Sequence, residues 1–522
     1  MKRFILISAA CIMWANATVY GQGYPFKWAK PIKMGLEDMM TVKEIITTDD
    51  GAAYANTRWS GIENYYLIPP HADYLYKYNL QGKTIQKVPY KLKTPAGNAD
   101  MEFVVNLGEK MYFFMSAQNK STKKHVLYMQ TVNKGTAMLN GTPKNVLELN
   151  YSGEPNYRPV YYRYSVSPDN SKLAIHCALL KKKEIIRSLF VVYDSQLNLL
   201  WKSNDIVSEG ISNPLLVQDF AVNNDGNVFF CGRTLAQDKK RSTIKNFNPQ
   251  NYVVMMSKDN PNANPVEIEF PENTFGLESS IAISPQNEAY CVGAFSKELM
   301  ANGLGFYVAK INTQDGKIDK LTLDEFGTQL ITEGYSQSDA KKIASKIAKN
   351  ESFENYKFYF DKVQFLKDGS LVLCAAKRYS AIFKTRDGEL VIYYNGDIFV
   401  GKYSQNLETQ FVKKISRSTE IMRYPIWGFH SLLLDENEDI HVFYNLVPST
   451  AFLGVNFLNK ATTIHVTFDK KGESEWETLH DSKTDKITAR PWEMTYINGT
   501  DEILLPGSKG AMTLTFTTFK LK

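Results

Sequence analysis

A unit of about sixty residues recurs along this chain, and no other sequence feature restricts its fold as much. Each unit opens on a short apolar strand, a tight turn and a second apolar strand. Asp225-Gly226-Asn-Val-Phe-Phe-Cys231 and Asp368-Gly369-Ser-Leu-Val-Leu-Cys374 are near copies. Asp-Gly between apolar runs marks a hairpin, because glycine accepts the positive φ of a tight turn. Looser copies are Asp50-Gly51, Gly108-Glu109, Asp169-Asn170, Gln286-Asn287, Glu436-Asn437 and Asn498-Gly499. The first residues of these eight turns are 58, 61, 56, 61, 82, 68 and 62 apart.

A second signal follows within the unit. It is clearest in Phe190-Val-Val-Tyr193-Asp194-Ser-Gln-Leu197-Asn-Leu-Leu-Trp201, an apolar strand, a turn and another strand. Its copies align on Tyr78-Asn79, Ile311-Asn312, Tyr403-Ser404 and Phe468-Asp469, and the turn is reached at Gly82, Gly316, Leu407 and Gly472. The unit therefore reads strand, turn, strand, longer loop, strand, turn, strand. The units at 100–150 and 215–271 show the second pair only weakly.

Such a sheet has two apolar faces and cannot cover both alone. Tiled around an axis, each sheet covers its neighbour and sheet edges stay short. The expected fold is all-β, a β-propeller of four-stranded antiparallel blades, with eight blades and seven as the alternative. The 30 Tyr and 29 Phe suit strands. The pattern resembles the WD-repeat and related propellers as a superfamily. The Trp-Asp and Gly-His signatures of true WD repeats are absent, so the resemblance implies architecture and no particular activity.

The last unit, from Trp492, holds three strands: Glu493-Met-Thr-Tyr, Asp501-Glu-Ile-Leu-Leu and Met512 to Phe519. Phe26-Lys-Trp-Ala-Lys-Pro-Ile is expected to supply the fourth, making 22–522 one domain closed by its two ends. A short helical insertion is expected near 324–357. There Ala340, Ile343, Ala344, Ile347 and Ala348 share a helical face, and Ser338 is placed to cap it. It reads as a cover packed on the rim. Cys177, Cys231, Cys291 and Cys374 end the second strands of consecutive units. Equivalent positions lie about 10 Å apart, too far for a bridge that needs Cα atoms within about 7 Å. All four are expected to be buried and unbridged.

Residues 1–21 read as a signal peptide. Lys2 and Arg3 precede the apolar run Phe4 to Trp14, and cleavage after Gly21 leaves Val19 and Gly21 at the small-residue positions. That run is too short to span a membrane, and no other stretch is long and apolar enough. The expectation is an exported bacterial protein of the periplasm or cell surface. The formal net charge is +6, and two of those charges sit in the leader. Lys181 to Lys183 and Lys239-Lys-Arg241 are short loop runs, so nucleic acid is not an expected partner.

No catalytic motif stands out. A GxSxG elbow, an HExxH pair, a P-loop and a GxGxxG are all missing, and the seven histidines are scattered. Tyr193-Asp194…Trp201 and Phe468-Asp469…Trp476 look similar to the docking repeat of quinone-dependent propeller dehydrogenases but lack its Thr-Gly. Ser167-Pro-Asp169-Asn lacks the Gly and Trp of the sialidase box. No catalytic residue, metal ligand or cofactor is assigned.

One constellation suggests binding. Arg158-Pro-Val-Tyr161, Arg423-Tyr-Pro-Ile-Trp427 and Arg490-Pro-Trp492 each lie just before a unit's first strand. Loops there open on one face around the central channel. Guanidinium forks beside aromatic rings suit an anionic or sugar-like ligand. The aromatic loop carrying Trp59 and His71 belongs to the same face. The expected function is a monomeric, non-enzymatic binding or scaffold module of the cell envelope, with a protein or an anionic or glycan ligand. The alternative is a channel-sited lyase or hydrolase acting on sugars or peptides.

Overall fold

The computed structural model describes residues 24, 26–33, 41–47, 52–59, 74–79, 84–89, 92–119, 121–150, 157–181, 184–203, 215–234, 250–297, 302–349, 351–354, 357–385, 388–422, 429–447, 460–509 and 513–521. Their strands form eight antiparallel blades in chain order, at 41–89, 100–150, 157–202, 215–267, 275–325, 357–415, 430–481 and 487–520. First strands of successive blades lie against one another and make the inner ring. A separate two-stranded hairpin pairs Lys93–Thr94 with Gly97–Asn98.

The turn chemistry read from the sequence is realised in the backbone. Gly108, Asn170, Gly226, Asn287, Gly369 and Gly499 all take positive φ between the first two strands. In the seventh blade the positive φ falls on Glu438, one residue beyond the Glu436-Asn437 pair. The second turns place Leu197, Gly316, Leu407 and Gly472 at φ of 61, 75, 59 and 78°. Leucine tolerates this strained region because its side chain fills the seam, where Leu407 is 1% exposed. The weak second pair of the fourth blade ends in a strand of two residues, Val266–Glu267.

Among the described residues, apolar side chains of adjacent blades join in core clusters at the seams from blades one and two through seven and eight. Phe103, Leu127, Ile175 and Val191 join blades two and three, and Phe190, Val217, Phe220 and Phe230 join three and four. Trp201 donates its indole N–H to the carbonyl of Gly226 on the next blade, at 2.9 Å. Trp476, its counterpart in the seventh blade, is 45% exposed. Cys177, Cys231, Cys291 and Cys374 are buried thiols in these clusters, and burial pushes the Cys177 and Cys231 thiols well up. That state is inert.

The eighth blade draws strands from both ends of the chain. Ile32 pairs with Leu514 and Lys33 with Thr513. The Ala29 N–H donates to the Phe516 carbonyl at 2.8 Å. Tyr24, Phe26 and Trp28 pack on Phe519 and His480. Gly507 makes room for this packing, since a Cβ there would meet the Trp28 ring at 2.6 Å. Gly507→Ala is therefore expected to displace Trp28 and cost about 1–3 kcal/mol. Indole fluorescence and proteolysis ahead of Ile32 would report it, and an unchanged Trp28 signal would contradict it.

Between blades five and six lie two helices, α1 (Thr328–Thr332) and α2 (Gln337–Ala348). Ser336, not Ser338, caps α2 by accepting from the Asp339 N–H at 3.2 Å. Phe326, Ile331 and Ile343 bury against Phe358 and Phe399 of the sixth blade. Because it leads into a first strand, this cap sits over the face of lead-in loops, here called the upper face.

Candidate functional site

Proline decides where the inner strands break. It has no N–H to give the ladder, so a strand must skip it. Arg158 lies inside the first strand of the third blade, Tyr157–Val166, and not ahead of it as the sequence suggested. Pairing jumps there from Arg158 to Tyr161, leaving out Pro159 and Val160. In the eighth blade Pro491 opens a 3₁₀ turn, Pro491–Glu493, between two short inner strands, Ile487–Ala489 and Thr495–Tyr496. The Arg-Pro-aromatic motif thus marks a break in the channel wall.

Inner strands without proline break at the corresponding place. The ladder skips Ile46, Glu102, Gln218, Leu277 with Glu278, and Asp361 in blades one, two, four, five and six. A bulge frees a residue from pairing and re-aims its side chain. Polar side chains at and beside these breaks form a belt that reaches sideways across the seams of the third, fourth and fifth blades. The Arg163 guanidinium donates to the carbonyls of Gln218 and Val217 at 2.7 and 3.2 Å. Gln218 in turn donates to Glu278 at 3.5 Å. Asp219 accepts from the Ile281 N–H at 3.1 Å and from the Ser280 hydroxyl.

Histidines back this belt as neutral rings. Arg163 approaches Nδ1 of His176 at 3.2 Å. A guanidinium only donates, so Nδ1 accepts and Nε2–H points at the Ser188 hydroxyl, 2.5 Å away. Burial and the Arg163 charge hold His176 well below the usual range. The same logic applies where Arg378 meets Nδ1 of His430 at 3.4 Å and Cys374 lies 3.0 Å from Nε2. His125, bonded to the Tyr162 hydroxyl at 3.0 Å, is held down to about 4 by burial.

Glu102, skipped by the second-blade ladder, is a perturbed acid. Burial raises its carboxyl to about 7; Ser116 donates to it and Asp100 adds repulsion. A raised carboxylate favours the fold below its unfolded value, and that advantage is lost as pH rises through 7. Glu102→Gln keeps the acceptor for Ser116. It is expected to be more stable than the parent above pH 7, by about 1–3 kcal/mol, with no such gain at pH 4.5. Urea midpoints at the two pH values test this, and a pH-independent difference would refute it.

The sequence-selected residues are only partly brought together. Arg490 is fully buried and pairs with the equally buried Glu493 at 2.5 Å. Its guanidinium lies 5.7 Å from the Trp492 ring, and Trp492 meets Phe429 edge-on at 6.4 Å. Arg490 is therefore committed to the wall and is not presented at an open mouth. Arg158 and Tyr161 flank the third-blade break, and Trp59 ends the second strand of the first blade. Arg423, Trp427 and His71 lie outside the described residues. The sequence reading missed Glu102, Gln218 and Glu278, because the place where a strand bulges is set by pairing with its neighbour and carries no turn residue or motif to mark it.

The two faces of the ring differ. Below, turns between first and second strands are tied to one another. The Gly108 N–H donates to Asn170, Asp169 N–H to Asn224, Asn224 N–H to Asn287, and Lys367 N–H to Glu438, at 2.7 to 3.1 Å. Above, the helical cap is clamped in place. Lys377 pairs with Glu354 at 2.6 Å, both buried. Lys414 reaches the Ile331 carbonyl at 2.9 Å and lies 3.5 Å from Asp397. Asn302 holds Phe353 and Glu354 by backbone contacts at 2.8 and 2.7 Å. Among the described residues, no group of three or more His, Cys, Asp or Glu is arranged to hold a metal ion, and no helix is long and apolar enough to cross a membrane.

No protein-family model matches the sequence, and no curated protein matches it either. Solved structures similar to it are propellers. The Dos1 propeller is 9% identical with a TM-score of 0.46, over 94% of this chain and 95% of that one. The propeller domain of the trilobed protease from Pyrococcus furiosus is 8% identical with a TM-score of 0.31, over 88% and 97%. An α-L-arabinanase from Penicillium chrysogenum, complexed with arabinobiose, is 12% identical with a TM-score of 0.35, over 67% and 94%. At such identities the likeness concerns the fold alone.

Proposed function

We propose that the protein is a non-enzymatic binding or scaffold module, exported to the bacterial cell envelope, that holds a protein, anionic or glycan ligand on its upper face. The supporting observation is the asymmetry of the ring. Tight turns tied side to side close the lower face, while the upper face carries the clamped cap and the wall breaks. Elaboration confined to the loops of a rigid scaffold is where binding surfaces are built. Arg423 remains the guanidinium to test there, since Arg490 is consumed by Glu493. Thermal-shift screening against polyanions, glycans and envelope proteins supplies the ligand. Arg423→Ala is then expected to weaken it at least tenfold, about 1.4 kcal/mol, with the melting temperature unchanged. Equal affinity would refute this placement of the site.

The second reading, a channel-sited lyase or hydrolase, draws support from Glu102. A wall carboxyl raised to about 7 is poised for proton transfer near neutrality. Turnover of a sugar or peptide that disappears in Glu102→Gln would establish it.

A further inference from the structure

Four of the seven histidines belong to the seventh blade. Three of them, His441, His465 and His480, stand on its second, third and fourth strands, near the N-terminal segment. Nδ1 of His441 and Nε2 of His465 are 2.9 Å apart. Nδ1 of His465 lies 2.7 Å from Oε1 of Glu477, and the Tyr24 hydroxyl donates to that same oxygen at 3.3 Å. At the other end Nε2 of His441 faces Oδ2 of Asp435 at 3.5 Å. Two carboxylates thus bracket a histidine pair, and one of them also holds the N-terminal segment. The rings of Phe26 and Trp28 in that segment lie 5.5 and 5.4 Å from His480.

The geometry fixes where the protons sit. A carboxylate only accepts, so Nδ1 of His465 carries hydrogen. Its Nε2, in the neutral ring, then accepts from Nδ1–H of His441. One further proton can enter at Nε2 of His441, facing Asp435. A second would put hydrogen on both nitrogens of the 2.9 Å contact. The rings must then part, and the hold on Glu477 goes with them.

Both rings are buried. From their own blade they are faced by Asp435, Glu477 and the Thr467 hydroxyl, which reaches the two nitrogens of the contact at 3.3 and 3.2 Å. Asp439 adds to the negative charge around Asp435. From the eighth blade Tyr496 feels Asp435 and Glu436, and from the N-terminal segment comes Tyr24. Arg490 is paired with Glu493, Lys520 with Asp501 and Lys470 with Glu438.

We propose that this chain of groups is an acid-operated latch on the ring's closure: protons taken up by the His441–His465 pair release Tyr24, Phe26 and Trp28 from the seventh blade. An accessible histidine takes its proton near pH 6.5. Burial and the neighbouring His465 hold His441 in the closed seam down to about 4. The closed state is therefore favoured above 6.5 and loses that advantage as pH falls towards 4. Histidine clusters that flip a contact on protonation are a known kind of pH switch.

Hydrogen exchange of residues 26–33 in the full chain, corrected for the intrinsic rate at each pH, tests this. The Ala29 N–H, bonded to the Phe516 carbonyl, is among the amides read. Protection there should fall at least tenfold from pH 6.5 to 4.5, and more than it falls at Phe190 to Val192 in the third blade. His441→Gln still donates to His465 but takes no proton, so the fall should shrink to about threefold or less. Tyr24→Phe leaves the histidines in place and removes only the hydroxyl on Glu477. It should lower protection at pH 6.5 and flatten the pH dependence. Protection of 26–33 that does not change with pH, a fall no larger than that of the third blade, or a fall of full size in both variants overturns the proposal.

Discussion

Replacing Arg490 with alanine is expected to cost about 3–5 kcal/mol of folding free energy, the toll of leaving a buried partner charge uncompensated. Arg490 and Glu493 have no side-chain exposure and meet at 2.5 Å across one 3₁₀ turn. That turn sits against inner strands of the first and seventh blades as well as its own. A charged Glu493 left there has no route to water, so it must either protonate or drag the turn outward. Whole domains are stable by only about 5–15 kcal/mol, so the loss would be a large fraction. Arg490→Lys should recover little, because an ammonium does not reproduce the fork. Arg490→Met with Glu493→Leu should recover most, since replacing both charges removes the desolvation cost. Denaturant midpoints decide the matter, and an Arg490→Ala chain within 1 kcal/mol of the parent would be incompatible with it.

Acid should weaken the fold steeply below pH 6.5. His125 and His441 are held down to about 4, chiefly by burial, and His465 beside His441 adds repulsion. Burial and the Arg163 charge also hold His176 well below the usual range. An unfolded histidine takes its proton near 6.5. Between there and about 4 the unfolded chain binds protons that the folded chain refuses, so stability falls with pH by about 1.4 kcal/mol per unit for each such ring. Glu102 acts the other way, because the folded chain binds its proton from about 7 downward. Glu102→Gln should steepen the fall by about one proton relative to the parent. His441→Gln should remove one. A stability flat from pH 6.5 to 4.5 would exclude neutral buried rings.

The fold was legible because each blade repeats the same local decisions. Asp225-Gly226 and Asp368-Gly369 announce turns, and Tyr193-Asp194 and Phe468-Asp469 end third strands. Phe26 to Ile32 could be matched to a missing strand by counting. The binding residues were less legible for a physical reason. Arg490 was read by its proline and tryptophan, while its real partner, Glu493, stood three residues on, where one 3₁₀ turn brings it round. The bulged Glu102 and Glu278 carry no local mark, since a strand bulges where its pairing with the neighbour demands it and no turn residue is needed. The length of the sixth blade's middle strands, Leu371–Thr385 and Gly388–Tyr403, was hidden because Ile382, Phe383, Leu390 and Val391 continue an ordinary strand pattern past the point where the neighbouring strands stop.

The pairing of Ile32 with Leu514 has a consequence for synthesis. A nascent chain can complete its middle blades as they emerge, but it remains an open arc until Thr513 and Leu514 have left the ribosome. Stopping translation before Thr513 would leave seven finished sheets with no lock. Two raw edges would then face solvent, a template for clumping. Termination just ahead of Thr513 should thus be as damaging as losing an internal blade.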